Sequence, residues 1–258
     1  MKITNPYLTI INKNTKYNPE SFKDFEYEKV AIAMGDWGKK YGTVEKQTYT
    51  AYLEAEKELA AIGGKCTLNS AGRTGFDQVF AKIEKFAGVL KNSKSIKLAI
   101  NKTKSETAKI GYSEHLSSLA LDIKIETENL EVPEKIKQRF PEAGLGELKF
   151  LTKRMIMEKH GFILSYPTSP RLEEATGIKN AEGWHWRYIT PEHSQRIAKI
   201  REKVTSMLGE KQEVFLEDYI QLLEHDVKSE NEHELIEEYS NLFITQILKR
   251  ELNNEVKL

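Results

Sequence analysis

The chain has 258 residues, of which 39% are hydrophobic and 30% charged, so a sizeable core is available and global disorder is excluded. Its 39 basic residues balance 39 acidic ones, which leaves no overall electrostatic case for binding nucleic acid or an anionic membrane. The single cysteine, Cys66, excludes an intramolecular disulfide framework and any multi-cysteine metal site. A bound metal would therefore need histidine and carboxylate ligands.

The N-terminal segment, MKITNPYLTIINKNTKYNPE, is interrupted by Asn, Pro and Lys and has no continuous apolar core. It lacks the features of a signal peptide, and no apolar run elsewhere in the sequence is long enough to span a bilayer. We therefore expect a cytoplasmic protein without a membrane span, while a removed leader or release by another protein stays open. Within this segment, YLTIIN at residues 7–12 indicates a short strand.

The next segments alternate between helical and strand patterns. Residues 44–62 have loosely helical apolar spacing, which stops at Gly63 and Gly64. KCTLNS alternates like a strand and leads into the small-residue turn AGRTG. From Phe76 onward, apolar residues recur at the spacing of an amphipathic helix.

A strongly periodic strand is predicted at residues 119–125. Leu119, Leu121, Ile123 and Ile125 share one face of this strand, and Asp122 lies on the other face. Asp122 therefore points away from the aliphatic side, towards whatever lies opposite.

The remainder of the chain changes from mixed to helical structure. A helix is predicted at residues 147–160, followed by the strands FILSY and WHWRYI, which a polar loop of about seventeen residues separates. A loop of that length inside a compact domain is more often functional than decorative. After Thr190 the sequence predicts three amphipathic helices. We therefore predict an α+β domain at residues 1–192 and a helical C-terminal extension at residues 193–258.

Two of the six histidines stand out because of their neighbours. His115 immediately precedes the strand that carries Asp122, and His185 follows Glu182 by three residues in AEGWHWRY. A catalytic zinc site typically uses three protein ligands and keeps one position for water. His115, Asp122 and His185 would supply two nitrogens and one oxygen, and Glu182 would serve as the nearby carboxylate that moves a proton.

Each of these residues also has an ordinary structural interpretation. A lone histidine beside a strand is more often structural than a ligand, and a loop glutamate is usually just solvated. Arg73, in a glycine-flanked turn, is either solvent-facing or a partner for a substrate carboxylate or an oxyanion. Trp184 and Trp186 are more often core residues than substrate contacts. The residues alone leave both interpretations open.

One known family shares the order and spacing of four segments: SAGRTGFDQVF, SEHLSSLALDI, HGFILSYP and EGWHWRY. They resemble the elements Ser-Gly-Tyr-Arg-Ser-x-x-x-Gln, Ser-x-His-x6-Asp and Glu-x-Trp-His-Trp-Arg-Tyr of the VanY-like D-alanyl-D-alanine carboxypeptidases, with HGFILSYP upstream of the second histidine. This zinc peptidase group also includes the VanX-type dipeptidases and the Hedgehog fold. The resemblance covers roughly residues 5–195 and is far more specific than any single motif.

The resemblance implies an α+β fold in which a small, mostly antiparallel sheet with flanking helices carries a zinc site. It implies that His115, Asp122 and His185 are the Zn²⁺ ligands. Glu182 matches the family's general base, and Arg73 matches the arginine that stabilises the carbonyl and the tetrahedral intermediate.

The resemblance also implies residues that bind the substrate. Ser113 matches a position that contacts substrate or supports the site, Gln78 matches a pocket position, and Trp184 is assigned to substrate binding with them. Two positions depart from the pattern: Ser118 replaces a glycine, and Gly72 replaces an aromatic residue. These departures bear on the shape of the pocket and on substrate preference more than on catalysis.

The implied function is removal of a C-terminal D-alanine from peptidoglycan stem peptides or their precursors, by attack of a zinc-bound water with Glu182 as general base and acid. D,D- and L,D-specificity both stay open. One alternative is a phage-type endopeptidase, against which the C-terminal region predicts neutral helices and not a basic, β-rich wall-binding module. Another is a non-catalytic zinc-containing binding module, against which both Glu182 and Arg73 are present. Self-association through the C-terminal helices also stays open.

Overall fold

The computed structural model describes residues 5–11, 15–33, 41–165, 182–209, 211–225, 227, 229 and 231–255. The strands in these residues are β1 Tyr27–Ala31, β2 Tyr41–Glu45, β3 Lys65–Ser70, β4 Ala120–Glu126, β5 Phe162–Leu164 and β6 His185–Tyr188. The helices are α1 Lys46–Ala61, α2 Gly75–Ser93, α3 Ile96–Glu106, α4 Glu134–Arg139, α5 Leu145–Lys159, α6 Pro191–Leu208, α7 Leu216–Leu223 and α8 Glu232–Glu255.

The main sheet has four strands in the order β3-β4-β6-β5, and every neighbouring pair is antiparallel. Strands β1 and β2 form a separate antiparallel pair. In the main sheet, Asp122 of β4 lies opposite Ser70 of β3 on one side and His185 of β6 on the other. The α+β prediction with a small antiparallel sheet and flanking helices is confirmed.

The main core lies on the aliphatic face of β4. Leu121 and Ile123 are almost fully buried there, together with Ala55 and Leu59 of α1 and Met157 of α5. Burying a side chain of this size stabilises the fold by about 1.5–3 kcal/mol. Because side chains alternate along a strand, this burial directs Asp122 to the opposite face, as the sequence pattern predicts.

A second core joins the C-terminal helices to the edge of the sheet. Phe162 and Leu164 of β5 belong to the main core, whereas Ile163 between them packs with the helices. Its partners there are buried apolar residues of the three helices: Ile197, Ile200, Val204, Tyr219, Leu222, Ile236, Tyr239 and Phe243. The three predicted helices are confirmed, and the boundary between residues 192 and 193 stays a prediction.

The strand predicted at residues 7–12 is wrong for residues 7–11, and Asn12 lies outside the described residues. Pro6–Leu8 form a 3-10 helix, and the Asn5 side chain accepts a hydrogen bond from the Tyr7 N–H at 3.0 Å. An Asn cap followed by proline at the first helical position favours a helical turn over the extended backbone that apolar alternation suggested.

Most of the predicted long loop before β6, residues 166–181, lies outside the described residues. None of the helices in the described part of the chain combines the length and the apolar character that crossing a membrane requires.

Candidate metal centre

His115 lies on a 3-10 helix, Glu114–Ser117, which leads into β4. Its ring is buried, and Nδ1 lies 2.8 Å from the carbonyl oxygen of Ala71. Because a carbonyl oxygen can only accept, Nδ1 carries the proton and donates it to Ala71. The other nitrogen, Nε2, is then a lone-pair donor, and it faces Asp122 Oδ2 at 3.4 Å.

His185 is brought to the same point by the register of the sheet. It pairs with Asp122 across β4 and β6, and its Nδ1 lies 3.1 Å from Asp122 Oδ1. Its Nε2 lies 2.9 Å from Glu114 Oε2. A carboxylate on the outer nitrogen of a ligating histidine fixes the orientation and tautomer of the ring and raises its basicity. Glu114 therefore supports His185 as the Ala71 carbonyl supports His115.

Glu114 was not among the residues predicted from the sequence. It directly precedes His115 and is buried, but its partner His185 lies 71 positions further along the chain. Only the pairing of β4 with β6 brings the two together. The sequence offers one signal for a role of Glu114: it is a glutamate next to a candidate ligand histidine, in a segment whose other residues are mostly small or apolar.

The three residues predicted as ligands form a group suited to a metal ion. One ligand atom from each of His115, Asp122 and His185 lies within 4.8 Å of the other two, and no other such group was found among the residues that the structure describes. Ligands of a tetrahedral zinc ion lie about 3.3 Å apart, given metal–ligand bonds of about 2.0–2.1 Å. The two contacts of Asp122, at 3.4 and 3.1 Å, match that spacing.

The electrostatics of the group favour a cation among these side chains. Burial alone would lower the pKa of His185, but the carboxylates of Asp122 and Glu114 on its two nitrogens raise it to about 10. Burial opposes the charged form of Asp122 too, yet His115 and His185 hold its pKa well below the usual value. A carboxylate pair around His185 that stabilises a proton on Nδ1 stabilises a metal ion at the same nitrogen.

Two further predicted residues border this group. Glu182 Oε2 lies 3.9 Å from His185 Nδ1, and burial, together with the charge of Asp122, raises the pKa of its carboxyl group. Arg73 donates from Nη2 to Ser70 Oγ at 2.8 Å and to Asp122 Oδ2 at 3.4 Å. A carboxylate and a guanidinium thus lie beside the candidate ligands, and their catalytic roles stay predictions.

The residues assigned to substrate binding have different surroundings. Ser113 is buried at the start of the 3-10 helix, two positions before His115. Gln78 is buried and accepts a hydrogen bond from the Gly111 N–H at 2.8 Å, a contact that supports a loop. The side chain of Trp184 is 50% exposed next to His185, whereas Trp186 is fully buried in the core. The roles of these residues in binding stay predictions.

A family model described as VanY, D-alanyl-D-alanine carboxypeptidase, matches residues 42–191, which is more than half of the chain. The chain belongs to the VanY family. The matched range contains every predicted ligand, Glu182 and Arg73, so the resemblance seen in the four segments is confirmed. The protein is thus a peptidase of the VanY family.

Solved structures show the same fold. A mutant of the vancomycin-resistance D,D-pentapeptidase VanY from the VanB-type cassette, in complex with Zn(II), is 20% identical, with 83% of this chain and 99% of that chain covered and a TM-score of 0.57. The D,D-dipeptidase VanXYg, in complex with a phosphinate analogue of D-Ala-D-Ala, is 22% identical, with coverages of 84% and 72% and a TM-score of 0.51. A search of curated protein sequences found no match.

Proposed function

We propose that the protein is a Zn²⁺-dependent carboxypeptidase that removes a C-terminal D-alanine from peptidoglycan stem peptides or their precursors. The observation that carries this proposal is the buried group of His115, Asp122 and His185 bordered by Glu182 and Arg73 in a VanY-family chain. Structures of similar fold are described in complex with Zn(II) and with D-alanine-D-alanine, which supports this choice of metal and substrate.

The side chains divide the reaction between them. His115, Asp122 and His185 would hold Zn²⁺, which would supply a Lewis acid that makes water a nucleophile near neutral pH. Glu182 accepts the proton of the attacking water and returns it to the departing amine, and its raised pKa makes it a stronger base than an exposed glutamate. The Arg73 guanidinium donates to the carbonyl oxygen as that oxygen gains negative charge.

The surroundings of the site suggest how the peptide end is held. Trp184 presents a half-exposed indole next to His185, where it offers an apolar surface to a D-alanine methyl group. Its indole N–H is a hydrogen-bond donor that a peptide carbonyl could accept from. We assign Trp184 to ground-state binding, so its replacement raises KM more than it lowers kcat.

The test is a peptide panel incubated with zinc-loaded protein and read by mass spectrometry. We expect release of D-alanine from soluble penta-, tetra- or dipeptides, and the peptide that reacts distinguishes D,D- from L,D-specificity. Glu182→Gln should lower the rate by about 10³-fold at unchanged zinc content, whereas the exposed control Glu142→Gln should leave both unchanged.

Three outcomes would contradict the proposal. Cleavage within the stem peptides of purified walls, without release of D-alanine, would assign the chain to the endopeptidases. Binding of these peptides without any hydrolysis would make it a binding module. Full activity of Glu182→Gln would remove Glu182 from the mechanism.

A further inference from the structure

The two positions at which the chain departs from the family pattern contact each other. A Cβ atom on Gly72 would overlap Ser118 Oγ and would lie 2.8 Å from Ser118 Cβ and 2.5 Å from the carbonyl oxygen of Thr43. Real Cβ atoms essentially never approach other heavy atoms within 3.0 Å. Both the side chain of Ser118 and the backbone carbonyl of Thr43 therefore exclude a side chain at residue 72.

The backbone at these positions would favour the reverse arrangement. Ser118 has φ 59°, in the left-handed region that favours glycine and costs other residues about 1 kcal/mol. Gly72 is not among the glycines with positive φ, so its backbone makes no such demand. The lack of space alone requires glycine at 72, and that space is limited by the side chain of Ser118 and by the Thr43 carbonyl.

The Ser118 side chain is held in place by the neighbouring strand. Its Oγ lies 3.2 Å from Thr43 Oγ1, and its carbonyl oxygen accepts a hydrogen bond from the Glu45 N–H at 3.1 Å. The Gly72 N–H donates to the Thr43 carbonyl at 2.7 Å. Strand β2 therefore holds both members of the pair.

Gly72 lies between two residues that each form a hydrogen bond with His115, the first candidate ligand. On one side Ala71 accepts the His115 Nδ1–H at 2.8 Å, and on the other the Arg73 N–H donates to the His115 carbonyl at 2.9 Å. That carbonyl also accepts a longer bond from the Ser118 N–H, at 3.2 Å. A shift of Gly72 would move Arg73 relative to His115.

We propose that Ser118 and Gly72 are a matched pair of positioning residues: the serine side chain, next to the Thr43 carbonyl, packs against Gly72 where a side chain at 72 would lie, and so helps to fix Arg73 against His115. Neither residue is assigned a contact with substrate, and both act through Arg73. The consequence for catalysis rests on the proposed function, because a displaced guanidinium stabilises the carbonyl oxygen less well.

The test is a double-mutant cycle of Gly72→Ala, Ser118→Gly and the combination. Its readouts are amide hydrogen exchange at Arg73, kcat and KM for the reactive peptide, and zinc content. Gly144→Ala is the matched control, because a Cβ there has nothing within 4 Å. We expect Gly72→Ala to speed exchange at Arg73 and to lower kcat by about tenfold to a hundredfold, with a smaller change in KM and zinc retained.

The combined variant should regain a measurable part of both properties, because the overlap with Ser118 is gone. The recovery should be partial, since the contact with the Thr43 carbonyl remains. Ser118→Gly alone relieves the left-handed strain, so its thermal stability should not fall, while kcat falls severalfold and exchange at Arg73 rises. If Gly72→Ala does not fold, Ser118→Gly alone still tests the proposal.

The proposal is wrong if Gly72→Ala leaves exchange at Arg73 unchanged, or if the combined variant recovers neither exchange protection nor kcat. It is also wrong if Ser118→Gly alters neither property. A wild-type protein that releases no D-alanine overturns the proposed function instead, and the exchange measurements then decide the positioning of Arg73 by themselves.

Discussion

Two buried groups of charged side chains in this protein have opposite characters. The first is the candidate metal centre, called the metal centre below, and it consists of His115, Asp122 and His185. The second lies between α5, α6 and the segment before α7, and we call it the ion-pair network; its members are Arg154, Glu158, Arg201 and Glu213.

The ion-pair network is complete within the protein. Both guanidiniums form paired hydrogen bonds with a carboxylate: Arg201 with Glu158 at 2.6 and 2.8 Å, and Arg154 with Glu213 at 2.7 and 2.5 Å. Arg154 also donates to Glu158 at 2.9 Å. Two positive and two negative charges thus balance at the distances of charge-assisted hydrogen bonds.

The contacts within the metal centre are longer. The single carboxylate of Asp122 turns one oxygen to each imidazole, at 3.1 and 3.4 Å, and these distances fit ligands around a shared cation. Both the ion-pair network and the metal centre therefore contain charged side chains that are largely buried. The donor types and their distances distinguish the two, and each of the following changes tests that distinction.

The largest effect should follow from removing a ligand of the metal centre. His185→Ala should lose stoichiometric zinc after dialysis, because two remaining ligands hold the ion far more weakly. The exposed His225→Ala should keep one zinc ion per chain. Metal analysis of both variants by mass spectrometry is the measurement, and one retained zinc in His185→Ala would contradict the assignment.

Breaking the ion-pair network should instead affect stability. Arg201→Met leaves Glu158 buried with less compensation and should lower the free energy of unfolding by about 3–5 kcal/mol. Zinc content should not change. The exposed pair Arg139 and Glu202, at 2.6 Å, provides the control: Arg139→Met should cost less than about 1 kcal/mol. Urea unfolding measures both, and equal losses would contradict the proposed difference.

A smaller effect is expected at the residue that supports the metal centre from outside. Glu114→Gln keeps the size of the side chain but removes the negative charge at His185 Nε2. Zinc affinity should fall by about 10- to 100-fold, which is typical for such supporting groups. Competition with a chelator of known affinity measures the change, and an unchanged affinity would show that Glu114 does not act through His185.

The smallest expected effect is a change with pH in the unfolding free energy that Arg201→Met loses. Burial alone would raise the pKa of Glu158, but Arg201 and Arg154 outweigh it and lower the pKa below the usual value. Stability from a lowered pKa is present above the unfolded-state pKa, about 4.3, and is lost as the pH falls through the folded-state pKa. The difference between wild type and Arg201→Met should therefore be constant from pH 6 to 8 and shrink below about pH 4. A difference that grows in acid would contradict this.

The sequence predicted one of the two groups and not the other, for a physical reason. The ligands and Glu182 lie in short segments with a recognisable spacing, and strand alternation placed Asp122 on the correct side of β4. Arg154, Glu158 and Arg201 lie on amphipathic helices, where charged residues ordinarily face water. Only the packing of α5 against α6 buries them, and helix packing is not encoded in local spacing.

The same limit applies to smaller features. Glu114 depends on the pairing of β4 with β6, and the contact between Gly72 and Ser118 depends on the approach of β2 to the turn before α2. Both departures from the family pattern were visible in the sequence, but their contact was not. Residues separated by 46 positions or more become neighbours only through the folded chain.

The C-terminal helices cover an apolar residue of the edge strand β5. It is an edge strand of three residues, and its central Ile163 is covered by those helices while its neighbours face the main core. Edge strands with an uncovered apolar face invite pairing with other chains. A fragment shortened to end near residue 190 would keep every ligand of the metal centre, yet it would expose an apolar edge and aggregate. We therefore expect the helices to matter for the solubility of the catalytic part as well as for its packing.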